Sequence, residues 1–220
     1  MIKLQNVDKF IESRYQRTFI LKSIDLEIKQ GEFVSIMGPS GSGKSTLMNI
    51  IGMLDKPSQG EYFFQDEPVH RFNERKTSQI HKEHIGFIFQ AYHLIDELNV
   101  YENIETPLLY RGVKRKERAS MVAEMLDKFN MVAKKDLFPE QLSGGQQQIV
   151  GVARAIIGKP KLLLADEPTG NLHSSQGEEV MKLLKQFNDD GMTIIQVTHN
   201  EKFAEYGSRL IELEDGGLKR

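Results

Sequence analysis

The segment "GPSGSGKST", Gly38 to Thr46, combines glycines, a lysine and hydroxyls in an order suited to holding a polyphosphate. Gly38, Gly41 and Gly43 permit backbone angles that turn successive N–H groups inward, so the main chain can wrap phosphates without side-chain clashes. The spacing directs Lys44 to the β- and γ-phosphates and offers the Ser45 hydroxyl to a magnesium ion, with Pro39, Ser40, Ser42 and Thr46 completing the loop. An ordinary glycine turn is the competing reading, and context disfavours it. The apolar run "EFVSIM" before the loop reads as a buried strand. After it, Leu47, Ile50, Ile51 and Leu54 fall on one face of a helix whose positive end adds to the site.

The apolar run "LLLADE" supplies what a phosphate loop lacks. It ends in Asp166, aimed at the magnesium shell, and Glu167, a candidate to orient or activate an attacking water. Alone, such a pair would read as a solvated strand end. His199 closes "TIIQVTH" and Gln90 closes "GFIFQ"; both sit at carboxyl ends of strands, where ligands bind in open parallel sheets. Either is a candidate contact for the γ-phosphate or the water. A second glycine segment, "LSGGQQQ", has no lysine. Ser143 can cap a helix and Gln146 completes a capping box, while Gly144 and Gly145 bare N–H groups at the positive helix end. Such an end attracts a γ-phosphate but cannot hold a nucleotide alone, and the extra glycines imply close approach by another group.

These residues need a frame. Alternation at Ile2 and Leu4, then at Ile24, Leu26 and Ile28, predicts two early strands, and "EYFF" adds a third to their sheet. From Ala91 the pattern becomes helical: Asn99 with Glu102 marks a helix start, and Met121, Val122, Met125, Leu126 and Phe129 form an amphipathic stripe. A helical subdomain is expected over 91–140. After it the α/β rhythm returns, with a helix carrying Val180, Leu183, Leu184 and Phe187 between the last two buried strands. A parallel sheet with helices on both sides follows.

Composition bounds the partners. With 29 Lys+Arg against 31 Asp+Glu and no long basic block, the chain has no electrostatic footprint for nucleic acid. "KRKER" at Lys114 to Arg118 reads as a solvated helix start. The absence of cysteine removes disulfides, thiolate metal sites and cysteine nucleophiles. "MIKLQNVDKF" is interrupted by lysines and is no signal peptide, and no run approaches the roughly 20 apolar residues of a membrane span. A membrane role must come through a partner.

Taken together, "GPSGSGKST", the glutamine after "GFIF", "LSGGQ", "LLLADEPTGNL" and "VTH" resemble the nucleotide-binding subunit of ATP-binding-cassette (ABC) transporters, in order and spacing over essentially the whole chain. Within that family the chain is similar to the bacterial group serving lipoprotein-release and macrolide-export permeases and antimicrobial-peptide exporters. The resemblance implies an α/β phosphate-loop ATPase: a mostly parallel sheet core, an antiparallel β subdomain within 1–90 and 141–220, and the helical subdomain. It implies ATP and Mg2+ as ligands. It also implies a head-to-tail dimer in which each ATP lies between the loop of one copy, Gly38 to Thr46, and the Ser143 to Gln146 segment of the other. Glu167, His199 and Lys44 would be catalytic, with His199 on the γ-phosphate, and Ser45, Gln90 and Asp166 would hold the metal. Gly170, Asn171 and Leu172 would cross between copies, and the segment from Ala91 to Tyr101 would face an integral membrane permease, with an extracytoplasmic adaptor beyond it. The chain would then lie on the cytoplasmic face of the bacterial inner membrane.

Three positions depart from the family pattern. The aromatic expected to stack on adenine aligns with Ile11, leaving Phe10 or Tyr15 as substitutes. Ile149 replaces an arginine after "LSGGQQQ" and joins Val152, Ala153 and Ile156 on a helical stripe, where packing would replace the missing polar contacts. His173 replaces an aspartate, exchanging a fixed charge for a titrating one, from which dimerisation or hydrolysis dependent on pH between roughly 6 and 7.5 is expected. Two other classes compete. A soluble ABC ATPase acting on ribosomes or DNA usually carries two cassettes or a long coiled-coil insertion, neither of which is present, and a phosphate-loop kinase or GTPase would need an acceptor site or a guanine-reading motif, of which no "NKxD" segment is found.

Overall fold

A computed structural model of the chain describes residues 1–13 and 16–219; Tyr15 lies outside the described residues. The N-terminal alternation forms β1 (Ile2–Glu12) and β2 (Arg17–Ile28), an antiparallel pair in which Ile2 faces Ile28 and Leu4 faces Leu26. With β4 (Gln59–Phe64) on the other edge of β1 and β5 (Glu67–Pro68) beyond it, they make a four-stranded sheet in the order β2-β1-β4-β5. The second sheet has six strands in the order β10-β9-β3-β8-β7-β6. Here β3 is Phe33–Met37, β6 Ile85–Ile88, β7 Leu162–Asp166, β8 Thr193–Val197, β9 Arg209–Glu214 and β10 Gly217–Leu218. All neighbours are parallel except β10, which turns back antiparallel on β9.

The continuous apolar runs of the inner strands follow from burial on both faces. Side chains alternate between faces, so Leu162 and Leu164 of β7 join one core while Leu163 and Ala165 join the other. The first core lies between this face, the antiparallel sheet and α1 (Lys44–Ile51). The second core lies under α3 (Val100–Tyr110), α4 (Arg115–Lys128), α5 (Gly144–Ile156) and α6 (Ser174–Asp189). Ile149 packs half-buried against it, beside buried Val152, Ala153 and Ile156.

Two expectations need correction. Leu54 does not share the buried face of α1, because the helix ends at Gly52, wedged where a Cβ would strike Phe87 and Leu164; Leu54 is 51% exposed. The strands before Gln90 and His199 stop two residues short of them, at Ile88 and Val197. One element has almost no apolar signal: α2 (Glu74–His84) fully buries no residue, packs only the partly buried Ile80 against the first core, and is marked locally by Asn73, whose side chain accepts from the Lys76 N–H at 2.9 Å. By contrast, Asn99 and Glu102 stand at the start of α3 as expected, and the structure shows them as a capping box.

Asn103 on α3 is fully buried, and its amide carries the turn before the helix. It accepts from the Ile95 N–H at 2.9 Å and donates to the carbonyls of Ile95, Leu98 and Asn99 at 3.0, 2.8 and 3.1 Å. Asn103→Leu is expected to cost about 2–3 kcal/mol by orphaning these groups. Urea denaturation measures the loss, and faster amide exchange over residues 95–99 would localise it. At the other end of the second core, His173 is the N-cap of α6 but makes no side-chain cap bond. His173→Asp would supply both the missing acceptor and a charge favoured at a helix N-terminus, raising stability by about 1 kcal/mol in the same measurement.

Candidate functional site

The loop between β3 and α1 turns through three positive φ angles, 154° at Gly38, 80° at Gly41 and 102° at Gly43. Gly43 has no substitute: its φ is left-handed, and a Cβ would lie 2.8 Å from the Ile20 carbonyl oxygen. Gly38 is equally confined, by the Leu213 carbonyl and the Ser42 hydroxyl. Lys44 Nζ folds over the mouth of the loop and donates to the carbonyls of Gly38 at 2.8 Å and Pro39 at 2.9 Å.

A cleft of about 420 Å³ opens on this loop and is shared by Ser40, Ser45, Thr46, Gln90, Asp166 and Glu167. Asp166 ends β7, and burial, reinforced by the neighbouring Glu167 charge, raises its carboxyl above the ordinary carboxylate range; Lys44 opposes the rise. Glu167 follows in a left-handed conformation, φ 46°, fixed on both sides of its peptide: its N–H donates to the Val197 carbonyl at 2.9 Å and its carbonyl accepts from Gly170 at 3.0 Å. The turn carries its carboxylate to His199, whose Nδ1 donates to Oε1 at 2.8 Å, and to Thr198, whose hydroxyl donates to Oε2 at 3.3 Å. His199 thus joins the cleft through Glu167.

The donor set fits a nucleotide with magnesium. Ser42 carries a buried hydroxyl without a hydrogen-bond partner inside the loop. One carboxylate, Asp166, with the neutral oxygens of Ser45 and Gln90 is the arrangement for a small hard cation that keeps phosphate oxygens and waters as its other ligands. A metal cage of protein groups alone is a poor match, since no cluster of three His, Cys, Asp or Glu side chains occurs among the described residues.

Ser143 to Gln146 do not line this cleft. They form the capped start of α5, with the Gln146 N–H on Ser143 Oγ at 3.4 Å and the Ser143 N–H on Gln146 Oε1 at 3.1 Å. Both glycines are already crowded within the chain: a Cβ on Gly144 would lie 2.7 Å from the Tyr92 hydroxyl, and one on Gly145 would strike the Gln176 amide. Sequence reasoning missed Tyr92 and Gln176, which sit far from the motif along the chain. It also missed the ties around Gln90. Asn171 Nδ2 donates to the Gln90 carbonyl at 2.8 Å, and Arg154 of α5 donates to the carbonyls of His93 at 2.7 Å and Tyr92 at 3.1 Å. Of the candidate adenine contacts, Phe10 is engaged by Phe19, ring centroids 5.3 Å apart, and by Arg17 at 4.9 Å, while Ile11 is 62% exposed.

Comparison with known proteins bears on the family and the fold. The family model described as "ABC transporter" matches residues 21–170. The chain is 47% identical over 218 residues to a macrolide export ATP-binding/permease protein, MacB, of Wolinella succinogenes, covering 99% of this chain and 34% of that protein. It therefore spans about a third of the length of such relatives. It is 45% identical over 227 residues to an ABC transporter ATP-binding protein, MJ0796, of Methanocaldococcus jannaschii, covering 100% of this chain and 96% of the relative. Among solved structures, a dimeric post-hydrolysis state of MJ0796 bound to ADP and Pi superposes with a TM-score of 0.93 at 43% identity, covering 100% of this chain and 97% of that one. The cassette cbiO1 of Clostridium perfringens, part of the ABC transporter complex cbiONQ, gives 0.88 at 28% identity, covering 100% and 86%. Fold, motifs and sequence together make this chain a member of the ABC transporter family with the fold of its ATP-binding cassette.

Proposed function

We propose that the chain binds and hydrolyses ATP and passes the energy to an integral membrane permease, working as a head-to-tail pair of copies. The observation that carries this reading is the meeting of Lys44, Asp166 and Glu167 at one cleft, the first on the phosphate loop and the other two at the end of a buried strand. The dimeric, ADP- and phosphate-bound state described for the M. jannaschii relative supports both hydrolysis and pairing. Among the described residues no helix is long and apolar enough to cross a membrane, so the permease is a separate polypeptide or a separate part of one.

In this reading the loop N–H groups and Lys44 hold the phosphates, and Ser45, Asp166 and Gln90 hold the magnesium ion. That ion, when bound, neutralises charge on the β- and γ-phosphate oxygens. Glu167 orients the attacking water and accepts its proton, while His199, already bonded to Glu167, steadies the carboxylate and faces the γ-phosphate. Ser143 to Gln146 close over the nucleotide held by the other copy, which accounts for a phosphate-attracting helix end without its own lysine. The similarity to macrolide-export proteins supports an export or extracytoplasmic task acting on a lipoprotein, macrolide or antimicrobial peptide, with an adaptor beyond the membrane and the chain held peripherally at its cytoplasmic face.

Glu167→Gln is expected to retain ATP binding while turnover falls about 10²-fold or more. Steady-state ATPase assays with size-exclusion chromatography measure both, and near-normal turnover would remove Glu167 from its role. A mixed dimer separates the two walls of the site. Pairing a Lys44→Ala copy with a Ser143→Arg copy puts both lesions in one composite site and leaves the other intact, so one ATP per dimer is retained. Loss of both ATP molecules would mean that loop and helix end serve the same nucleotide within a single copy.

A further inference from the structure

Three consecutive residues hold Glu167. Its N–H donates to the carbonyl of Val197, the last residue of β8, at 2.9 Å, and its two carboxylate oxygens meet the next two side chains, Thr198 at 3.3 Å and His199 at 2.8 Å. The two side chains differ in freedom. That of His199 is 73% exposed, whereas Thr198 is 1% exposed and its own N–H donates to the Ile36 carbonyl of β3 at 3.2 Å. His199 can therefore leave Oε1 without disturbing the packing, while Thr198 stays on Oε2.

The direction of each bond at Thr198 follows from what its partners can do. The Asn200 N–H reaches Oγ1 at 3.1 Å and can only donate, so Oγ1 accepts there. Its single proton is left for Glu167 Oε2, since a carboxylate can only accept. The hydroxyl is also anchored from behind. Buried Gln196, two residues earlier on β8, donates to the Phe203 carbonyl at 2.8 Å and to Ser35 Oγ at 2.7 Å, and Ser35 donates to the Ala204 carbonyl at 2.7 Å. These bonds tie α7 (Glu201–Ala204), the short helix that Asn200 caps, to the sheet. At 3.3 Å the contact with Oε2 is longer than an ordinary hydroxyl–carboxylate bond, as catalytic hydrogen bonds commonly are before substrate arrives.

We propose that Thr198 is the positioning residue of the water-activating carboxylate: its hydroxyl fixes Oε2, so that Glu167 keeps its aim when His199 releases Oε1 to face the γ-phosphate. The proposal rests on the reading of Glu167 given above and adds what aims it. With one oxygen tied to a buried point, the carboxylate can turn only about that point, and a misplacement of about 1 Å is enough to cost about 10²-fold in rate. Thr198 keeps its proton throughout, and no bond to it forms or breaks. Its residue type has no other explanation in packing: beside Ile194, Ile195 and Val197, all buried, an apolar side chain would fill the same space, and the sealed hydroxyl is accounted for by its two partners.

The test compares side chains of nearly equal shape by ATPase kinetics. Thr198→Val removes the hydroxyl and is expected to lower kcat about tenfold or more while KM for ATP stays within about twofold. Thr198→Ser keeps the hydroxyl and is expected to retain most of the rate. A Glu167→Ala background separates positioning from packing, because no carboxylate remains there to be aimed. In that background Thr198→Val is expected to leave the residual single-turnover rate unchanged. Should Thr198→Val not fold, as urea denaturation would show, Thr198→Ala takes its place with the same expectations. Wild-type kcat in Thr198→Val, a serine variant as slow as the valine one, or an equal further loss in the Glu167→Ala background would each overturn the proposal. Full activity of Glu167→Gln would instead remove the reading of Glu167 on which it stands.

Discussion

Burial of β7 on both faces is the constraint from which the site follows. Leu162 to Ala165 are sealed between two cores, so the first position at which this strand can carry charge is its carboxyl end. Asp166 and Glu167 occupy that end, next to the loop that leaves β3, two strands away in the same sheet. Parallel strands set all such ends on one edge, and the left-handed turn at Glu167 then decides where the second carboxylate points. A shift in the register of β7 would misplace both carboxylates and exchange the two cores at the same time. Packing and chemistry are therefore specified by the same residues.

The two glycine segments solve different problems with the same residue. In the loop from Gly38 to Thr46 the glycines serve backbone shape, because left-handed angles at Gly41 and Gly43 aim N–H groups into the concavity. At Gly144 and Gly145 the backbone is ordinary helix, and the missing side chains instead admit Tyr92 and Gln176. A glycine pair at a helix start is thus first a statement about intramolecular crowding. The same bareness leaves the helix end approachable by a phosphate once those neighbours shift.

What was legible in the sequence was what short stretches determine. The phosphate loop, the carboxylate pair, the helix start at Asn99 and the capping box at Ser143 are complete within a few residues, and hydrophobic period located the inner strands. The helix α2 was not legible because it packs a single apolar residue, Ile80, against the core and so has no period to detect. Leu54 was misplaced for the opposite reason: the period continued past Gly52, while the backbone stopped where Phe87 and Leu164 left no room. Arg154, Tyr92 and Gln176 owe their importance to contacts with distant residues, and a single sequence carries no mark of such contacts.

Those distant contacts converge on Gln90. Its side chain lies against Gly170, its carbonyl accepts from Asn171, and the two carbonyls just beyond it are held by Arg154 from α5. The loop after Glu167 and the helix that begins at the Ser143 cap are thereby attached to one short segment of backbone. Two successive non-glycine residues in the left-handed region, Tyr92 and His93, keep that segment in a conformation sustained only while its partners remain in place. Gln90 is therefore the residue at which the phosphate cleft, the loop after Glu167 and α5 meet on one stretch of backbone.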